Sequence, residues 1–266
     1  MEEIDVLRGR IKDLSARASS ESYLTHTDFL SLSEQALFFQ ILKEEHISHL
    51  SKKYGGVRFV LYGGHEDHDR KLIYFLPYYL TEEEMLEKEG EGETFSLLHV
   101  YPKNRHFADV LTHRDYLGAL MHLGIKREMF GDILTDGMDG YIFILNGVVS
   151  SVREELTKIK HTTVECEILK PKDCPFKPRF EEKNINVSSD RIDCILAEVF
   201  HLSRRDAQVL IASESIFVNG MSMMNNAHIL KENDRVSIKG HGKFIYLGQS
   251  KVTKKGRLFV KIKIYC

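Results

Sequence analysis

The chain has 266 residues, 42% of them hydrophobic and 29% charged, with a formal net charge of −2. That length accommodates two or three units of roughly 100 residues each, and the composition is that of a globular protein, not of a disordered or fibrous one. No apolar run approaches the roughly 20 residues of a membrane span, and Met1-Glu2-Glu3-Ile4-Asp5 is acidic where a secretory signal opens basic.

In chain order, Ile4, Leu7, Ile11 and Leu14 recur at spacings of three and four and predict a helix. Ser33 is a candidate cap for a second helix carrying Ala36, Leu37, Gln40 and Ile41. Val57–Tyr62 and Leu72–Leu76 read as strands around Gly63-Gly64-His65-Glu66-Asp67, a solvated turn. The acidic stretch 82–93 reads as a short helix running into a linker, because Gly90 and Gly92 interrupt its end. Residues 1–93 are thus expected to form an N-terminal α+β region of helices and a hairpin.

Residues 94–172 alternate. Phe95–Val100 reads as a strand and His113–Leu123 as a helix with Tyr116, Leu117, Leu120 and Leu123 on one face. Asp132–Thr135 and Tyr141–Leu145 form a hairpin around Asp136-Gly137-Met138-Asp139-Gly140, Val149–Ile159 is helical and Val164–Leu169 is a closing strand. This β-α-β-β-α-β order is that of a ferredoxin-like, RRM-like fold. RNA-recognition domains share it with many unrelated proteins, and the aromatic stacking signature of such domains is not visible in these strands. Pro171, Pro175 and Pro178 mark a second linker.

Residues 183–266 hold 14 Lys and Arg against 7 Asp and Glu, a charge of +7, whereas 1–182 carry −9. A basic end on an acidic chain points to a polyanionic partner. Ser189 is a candidate cap for a helix burying Ile192, Ile195, Leu196, Val199 and Phe200. Ser203 would cap a second helix over Arg204–Ser213, with Asp206 at the reciprocal capping position. Ile216 and Val218 lead into the turn dipeptide Asn219-Gly220. Val236 and Ile238 begin another strand, and Leu258, Val260, Ile262 and Ile264 alternate with Phe259, Lys261 and Lys263.

The motifs Asp190-Arg191-Ile192-Asp193-x-x-Leu196, Leu202-Ser203-Arg204-Arg205-Asp206-Ala207, Leu210-Ile211, Ile216-x-Val218-Asn219-Gly220 and Asn233-Asp234-Arg235-Val236 occur in that order. Together they resemble the S4-type, or αL, RNA-binding domain. The resemblance implies two helices against a small sheet, gripping structured RNA with the start of the second helix. Leu111-Thr112-His113-Arg114-Asp115-Tyr116-Leu117-Gly118-Ala119-Leu120, Leu123-Gly124-Ile125-Lys126-Arg127-Glu128 and Phe59-x-x-Tyr62-Gly63-Gly64-x-Glu66 resemble the YlmH family. That second resemblance covers nearly the whole chain. It implies a bacterial cytoplasmic protein that binds the large ribosomal subunit carrying peptidyl-tRNA in rescue of stalled translation, with a link to cell division.

The RNA-binding candidates are Arg191, Ser203, Arg204, Arg205, Asn219, Lys239, Lys243, Lys254, Lys255 and Arg257. Arg204 and Arg205 lie beside the free N–H groups and positive dipole end of their helix, a phosphate site; pairing with Asp206 or Glu198 is the alternative. A secondary set, His113, Arg114, Lys126 and Arg127, flanks the middle helix and reads either as an RNA-facing cluster or as a cap tied to Asp132. Two positions depart from the S4-type pattern: Glu214 and Asn233 stand where glycine is usual. Glu214 implies another helix closure or a cost of about 1 kcal/mol, and a negative charge near the RNA face. Asparagine tolerates the left-handed turn.

No phosphate loop, dinucleotide loop or helical metal pair is present, and the four cysteines, Cys166, Cys174, Cys194 and Cys266, form no C-x-x-C pair. The expectation is an RNA-binding protein, not an enzyme, without cofactor, metal, small-molecule substrate or membrane partner, bound to rRNA, tRNA or both. The alternatives are an RNA-modifying enzyme, of pseudouridine synthase or methyltransferase accessory type, and a protein-binding adaptor.

Overall fold

The computed structural model describes residues 3–48, 51–176, 180–252 and 257–265, and the chain divides into two compact units at 177/178. The first unit begins with α1 (Glu3–Ser20), β1 (Thr25–His26), α2 (Leu32–Glu44), β2 (Lys53–Tyr54), β3 (Val57–Tyr62), β4 (Leu72–Leu76) and α3 (Glu82–Gly90). It continues with β5 (Phe95–Pro102), α4 (His113–His122), β6 (Phe130–Thr135), β7 (Gly140–Leu145), α5 (Asn146–Glu155), β8 (Lys158–Ile159) and β9 (Thr162–Leu169). Its strands make two antiparallel sheets, of order β1-β4-β3-β2 and β6-β7-β5-β9-β8.

Period decides which side of each element is buried. Leu7, Ile11 and Ala18 of α1 and Phe38, Ile41 and Leu42 of α2 cover one face of the first sheet through Tyr54, Val57, Phe59, Ile73 and Phe75. The alternate residues of that sheet, Val60, Leu72, Tyr74 and Leu76, pack with Phe95, Leu97, Phe143 and Leu145 of the second sheet. The second sheet's other face is closed by Tyr116 and Leu120 of α4 and Val149 and Val152 of α5. Gly64 lies so close to the ring of Phe143 that a Cβ would come within 2.3 Å of it, and its φ of 101° is one that glycine alone adopts without cost.

Several local expectations change. Ser31, not Ser33, caps α2: its side chain accepts from Glu34 N while the Glu34 carboxylate accepts from Ser31 N, a full capping box. The acidic stretch is a capped helix, with Thr81 and Glu84 forming the box. Instead of trailing into a linker it turns directly into β5, anchored by buried Met85 and Glu89. The helix expected to reach Ile159 ends at Glu155, and Lys158–Ile159 pairs as a short strand with Thr162–Thr163.

The second unit comprises β10 (Phe180–Val187), α6 (Ile192–Val199), α7 (Arg204–Ala212), β11 (Ile216–Val218), β12 (Met221–Ser222), β13 (Arg235–Ile238), β14 (Gly242–Val252) and β15 (Leu258–Tyr265). The antiparallel sheet runs β10-β15-β14-β13-β11-β12. One face is closed by α6 and α7 through Ile192, Ile195, Leu196, Val199, Ala207 and Ile211. β10 begins at Phe180, inside the stretch read as linker from its prolines, and pairs with β15 along its whole length. Asn219 and Gly220, both with positive φ, make the two-residue turn joining β11 to β12.

Candidate nucleic-acid interface

α7 is positioned by its cap. The Ser203 hydroxyl accepts from Asp206 N at 3.1 Å and donates to the Asp206 carboxylate at 2.6 Å. The Asp206 carboxylate therefore meets the cap's hydroxyl and not its backbone N–H. The expected reciprocal box is absent, and Ser203 satisfies one of the orphan N–H groups at the start of α7. Arg204 and Arg205 are both exposed on this first turn. Arg204 leans back to donate to the Ser188 hydroxyl and lies 3.4 Å from Cys194 Sγ, whereas Arg205 has no side-chain partner among the described residues. The alternative of pairing to Asp206 or Glu198 is not what either guanidinium does.

The other candidates separate by what they already hold. Arg191 caps α6 through backbone geometry and grips buried Asp193 with two nitrogens, at 3.1 and 2.9 Å. Ser189 accepts from Arg191 N instead of capping. Asn219 spends its side chain inside the unit, donating to Asp234 at 2.8 Å and accepting from Arg235 N at 2.9 Å. Arg257 donates to Asn186, and the Lys243 ammonium sits 5.1 Å from the Tyr265 ring centre. Lys239 is exposed. Lys254 and Lys255 lie outside the described residues.

Helix α7 ends as a Schellman motif, Ser215 N donating to Leu210 O and Glu214 N to Ile211 O. Glu214 occupies the left-handed position at φ 55°, so the glycine-type closure is kept and its cost borne. It stands at the far end of α7 from Arg204, about 15 Å away at 1.5 Å per residue, so it is not the near neighbour of the arginines that the sequence suggested. Asn233 takes φ 70° in its turn.

In the first unit the secondary set splits. Arg127 donates to Phe130 O at 2.7 Å and Gly131 O at 3.2 Å and lies over the Phe130 ring. Burial and the neighbouring Arg70 push its pKa down to about 10. Arg70 in turn donates to Phe29 O, Phe130 O and Arg127 O. Asp132 accepts from Asp69 N and Arg70 N, so it ties down the β3–β4 loop and not the start of α4. That start is capped by Thr112 and Asp115, and burial together with Arg127 lowers the His113 pKa. Arg114 and Lys126 are exposed.

The strands of 94–172 do hold an aromatic cluster. His99 and Tyr101 of β5 share a face with Tyr141 of β7; His99 stacks on Tyr141 at 4.5 Å, and Phe176 meets Tyr141 edge-on at 5.4 Å. The period-two spacing of His99 and Tyr101, read with the strand order, is the signal that could have found it. Asp139 accepts from both His99 and Arg105 here, and Glu165 and Glu167 lie opposite on β9.

Among the described residues no helix is long and apolar enough to cross a membrane. Residues 94–173 match the family described as "Putative RNA-binding domain in YlmH". The chain is 28% identical over 221 residues to the "Ribosome-associated protein quality control protein P2" of Bacillus subtilis (strain 168), across 82% of this chain and 78% of that protein. A solved structure, "Cell division protein ylmH from Streptococcus pneumoniae", aligns over 62% of this chain and 87% of that one, with a TM-score of 0.44 and 22% identity. The 94–173 segment thus matches the YlmH RNA-binding domain family, and the chain is similar to the Bacillus subtilis protein over most of its length.

Proposed function

We propose that this protein is a cytoplasmic, non-catalytic RNA-binding factor of ribosome-associated quality control. The match of residues 94–173 to an RNA-binding domain family carries the reading, and the name of the Bacillus subtilis relative supplies its setting. On this reading the second unit works as an S4-type domain and grips structured rRNA or tRNA on the large subunit carrying peptidyl-tRNA. Three features support that role: two helices closing one face of a sheet, a hydroxyl-capped α7, and exposed Arg204 and Arg205 on its first turn. Each arginine supplies donors in a fork suited to phosphate. The duplex is read by shape and backbone, which needs no base-reading aromatics. Lys239 extends the cationic surface, with Lys243 and Arg257 reaching phosphate from their present contacts; Lys254 and Lys255 are proposed on sequence alone. Catalysis is no part of the role.

The experiment is sedimentation with purified bacterial ribosomal subunits, wild type beside Arg204→Ala/Arg205→Ala. Wild type travelling with the large subunit and the variant staying at the top is the expected result. Wild type left at the top with both subunits, with and without peptidyl-tRNA, would overturn the ribosomal reading.

A further inference from the structure

The first unit carries a cationic feature of its own, far in sequence from α7. β2 and β3 form a tight hairpin through Gly55 and Gly56, both with positive φ, and its register sets Lys53 directly opposite Arg58. Like charges facing each other across an antiparallel pair destabilise the sheet. Both side chains are exposed, and neither has a counter-ion among the described residues. Neighbouring Lys52 shows the contrast, since it is paired with Glu82 at 3.0 Å.

These two cations line one cleft together with Ser19 at the end of α1 and Pro77 and Tyr78 from the β4–α3 loop. Tyr78 is 91% exposed, and Tyr79 beside it is 56% exposed with its ring at right angles to that of Tyr78. Pro77 restricts the backbone that presents this pair. Two unsatisfied cations beside a displayed aromatic ring are the parts from which single-stranded nucleic-acid sites are built: charge for the backbone, a π-face for a base.

We infer that the Lys53–Arg58 hairpin and Tyr78 form a second RNA contact, which takes an unpaired segment with phosphates on the two cations and a base stacked on Tyr78. This rests on the RNA-binding reading and adds to it a site of different preference: α7 takes the duplex by its backbone, the hairpin cleft a single strand. An acidic peptide would satisfy the cations but leave Tyr78 without a role. Lys53, Arg58 and Tyr78 are all exposed, so substituting them leaves the core intact.

The test uses the full-length protein and a fluorescein-labelled RNA of about 12 nucleotides, within the site sizes of single-strand binders, offered alone and annealed to its complement. Tyr78→Ala is expected to weaken single-strand binding about tenfold and leave duplex binding unchanged, with Tyr78→Phe retaining it. Lys53→Ala/Arg58→Ala should lower the log–log salt slope for the single strand by roughly 1.4, at about 0.7 for each phosphate no longer neutralised. Ultraviolet cross-linking should map to Tyr78. Folded variants that bind the single strand like wild type, with unchanged slope, would overturn the cleft and leave the α7 reading standing. Wild type binding neither RNA at low salt would overturn both. A poly-glutamate peptide whose binding is lost in the double variant, while RNA binding is kept, would reassign the cleft to a protein partner and end the inference.

Discussion

Arg127 and Arg70 in the first unit and Arg204 and Arg205 in the second are the same residue type in opposite employment. The first pair lies partly buried and spends its N–H groups on the carbonyls of Phe29, Arg127, Phe130 and Gly131. The second pair stands exposed on the first turn of a helix, with Arg205 unpartnered among the described residues. A guanidinium has five donors in a fixed fork, so the same group ties a loop to a sheet when carbonyls converge on it and stays exposed to solvent when none do. In this protein the charge of a residue says little until its donors are accounted for.

The widest separation between the two pairs is expected in stability. Arg70→Ala strips donors from three carbonyls in a partly buried site. Unsatisfied polar groups and poorer packing together should cost about 3 kcal/mol, or roughly 6–12 °C in the melting of the first unit. Arg205→Ala removes no side-chain hydrogen bond among the described residues and should shift stability by less than about 0.5 kcal/mol. Thermal unfolding of both variants decides the matter; equal shifts would break the distinction.

Binding should reverse that order. Arg204→Ala/Arg205→Ala is expected to lower the log–log salt slope for a structured RNA by about 1.5, since two phosphates are no longer neutralised. Arg114→Ala/Lys126→Ala tests whether the exposed half of the middle set contributes as well. A slope equally reduced by that pair would move part of the duplex contact to the first unit, and an unchanged slope in folded Arg204→Ala/Arg205→Ala would remove α7 from the interface.

What the sequence showed of this division follows from the range of the forces involved. The helices over α1, α4, α6 and α7, the strands β3, β4, β7 and β15 and the Asn219-Gly220 turn are local patterns, and periodicity and turn chemistry reveal them. β10 was hidden because its exposed residues, Glu181 to Asn184, find their reason only in pairing with Ile264 to Lys261 of a strand some 80 positions away. The same holds for the site. Ser203, Arg204 and Arg205 form a contiguous motif, legible in order along the chain. That Arg127 turns inward depends on Phe130, Gly131 and Arg70, and the aromatic face of His99, Tyr101 and Tyr141 depends on which strands become neighbours.

The acidic stretch of the first unit offers a test of the same kind with a carboxylate. Glu89 is fully buried, accepting from Thr94 Oγ1 at 2.7 Å and Thr94 N at 3.3 Å, and burial raises its pKa above the ordinary carboxylate value. The folded chain therefore holds this proton more tightly than the unfolded one. Its contribution to stability is complete below the ordinary value, near 4.3, and is lost as pH rises through the raised one. Carboxylates held down by partners, such as Glu91 between Lys170 and Lys172 and Asp115 beside Lys160, each at about 2, act in the more acidic range with the opposite sign. Glu89→Gln cannot ionise, so its melting temperature should fall less than that of wild type as pH rises from the ordinary carboxylate range toward neutrality; parallel curves would show that Glu89 is not the group responsible.

The smallest effect concerns the end of α7 and bears on what the second unit keeps for binding. Glu214 takes the left-handed position of the Schellman closure at φ 55°, where a Cβ crowds the following carbonyl at a cost of roughly 1–2 kcal/mol. Glycine would remove that crowding but has more freedom to lose on folding, so Glu214→Gly should gain only about 0.5–1 kcal/mol of stability in the second unit. The substitution also deletes a negative charge, and the two consequences part cleanly with distance. At about 15 Å from Arg204, beyond the roughly 8 Å screening length of physiological salt, the deleted charge should leave RNA affinity and its salt slope unchanged while the melting temperature rises. Affinity that climbs with stability would instead place phosphate at both ends of α7 and widen the duplex contact along the helix.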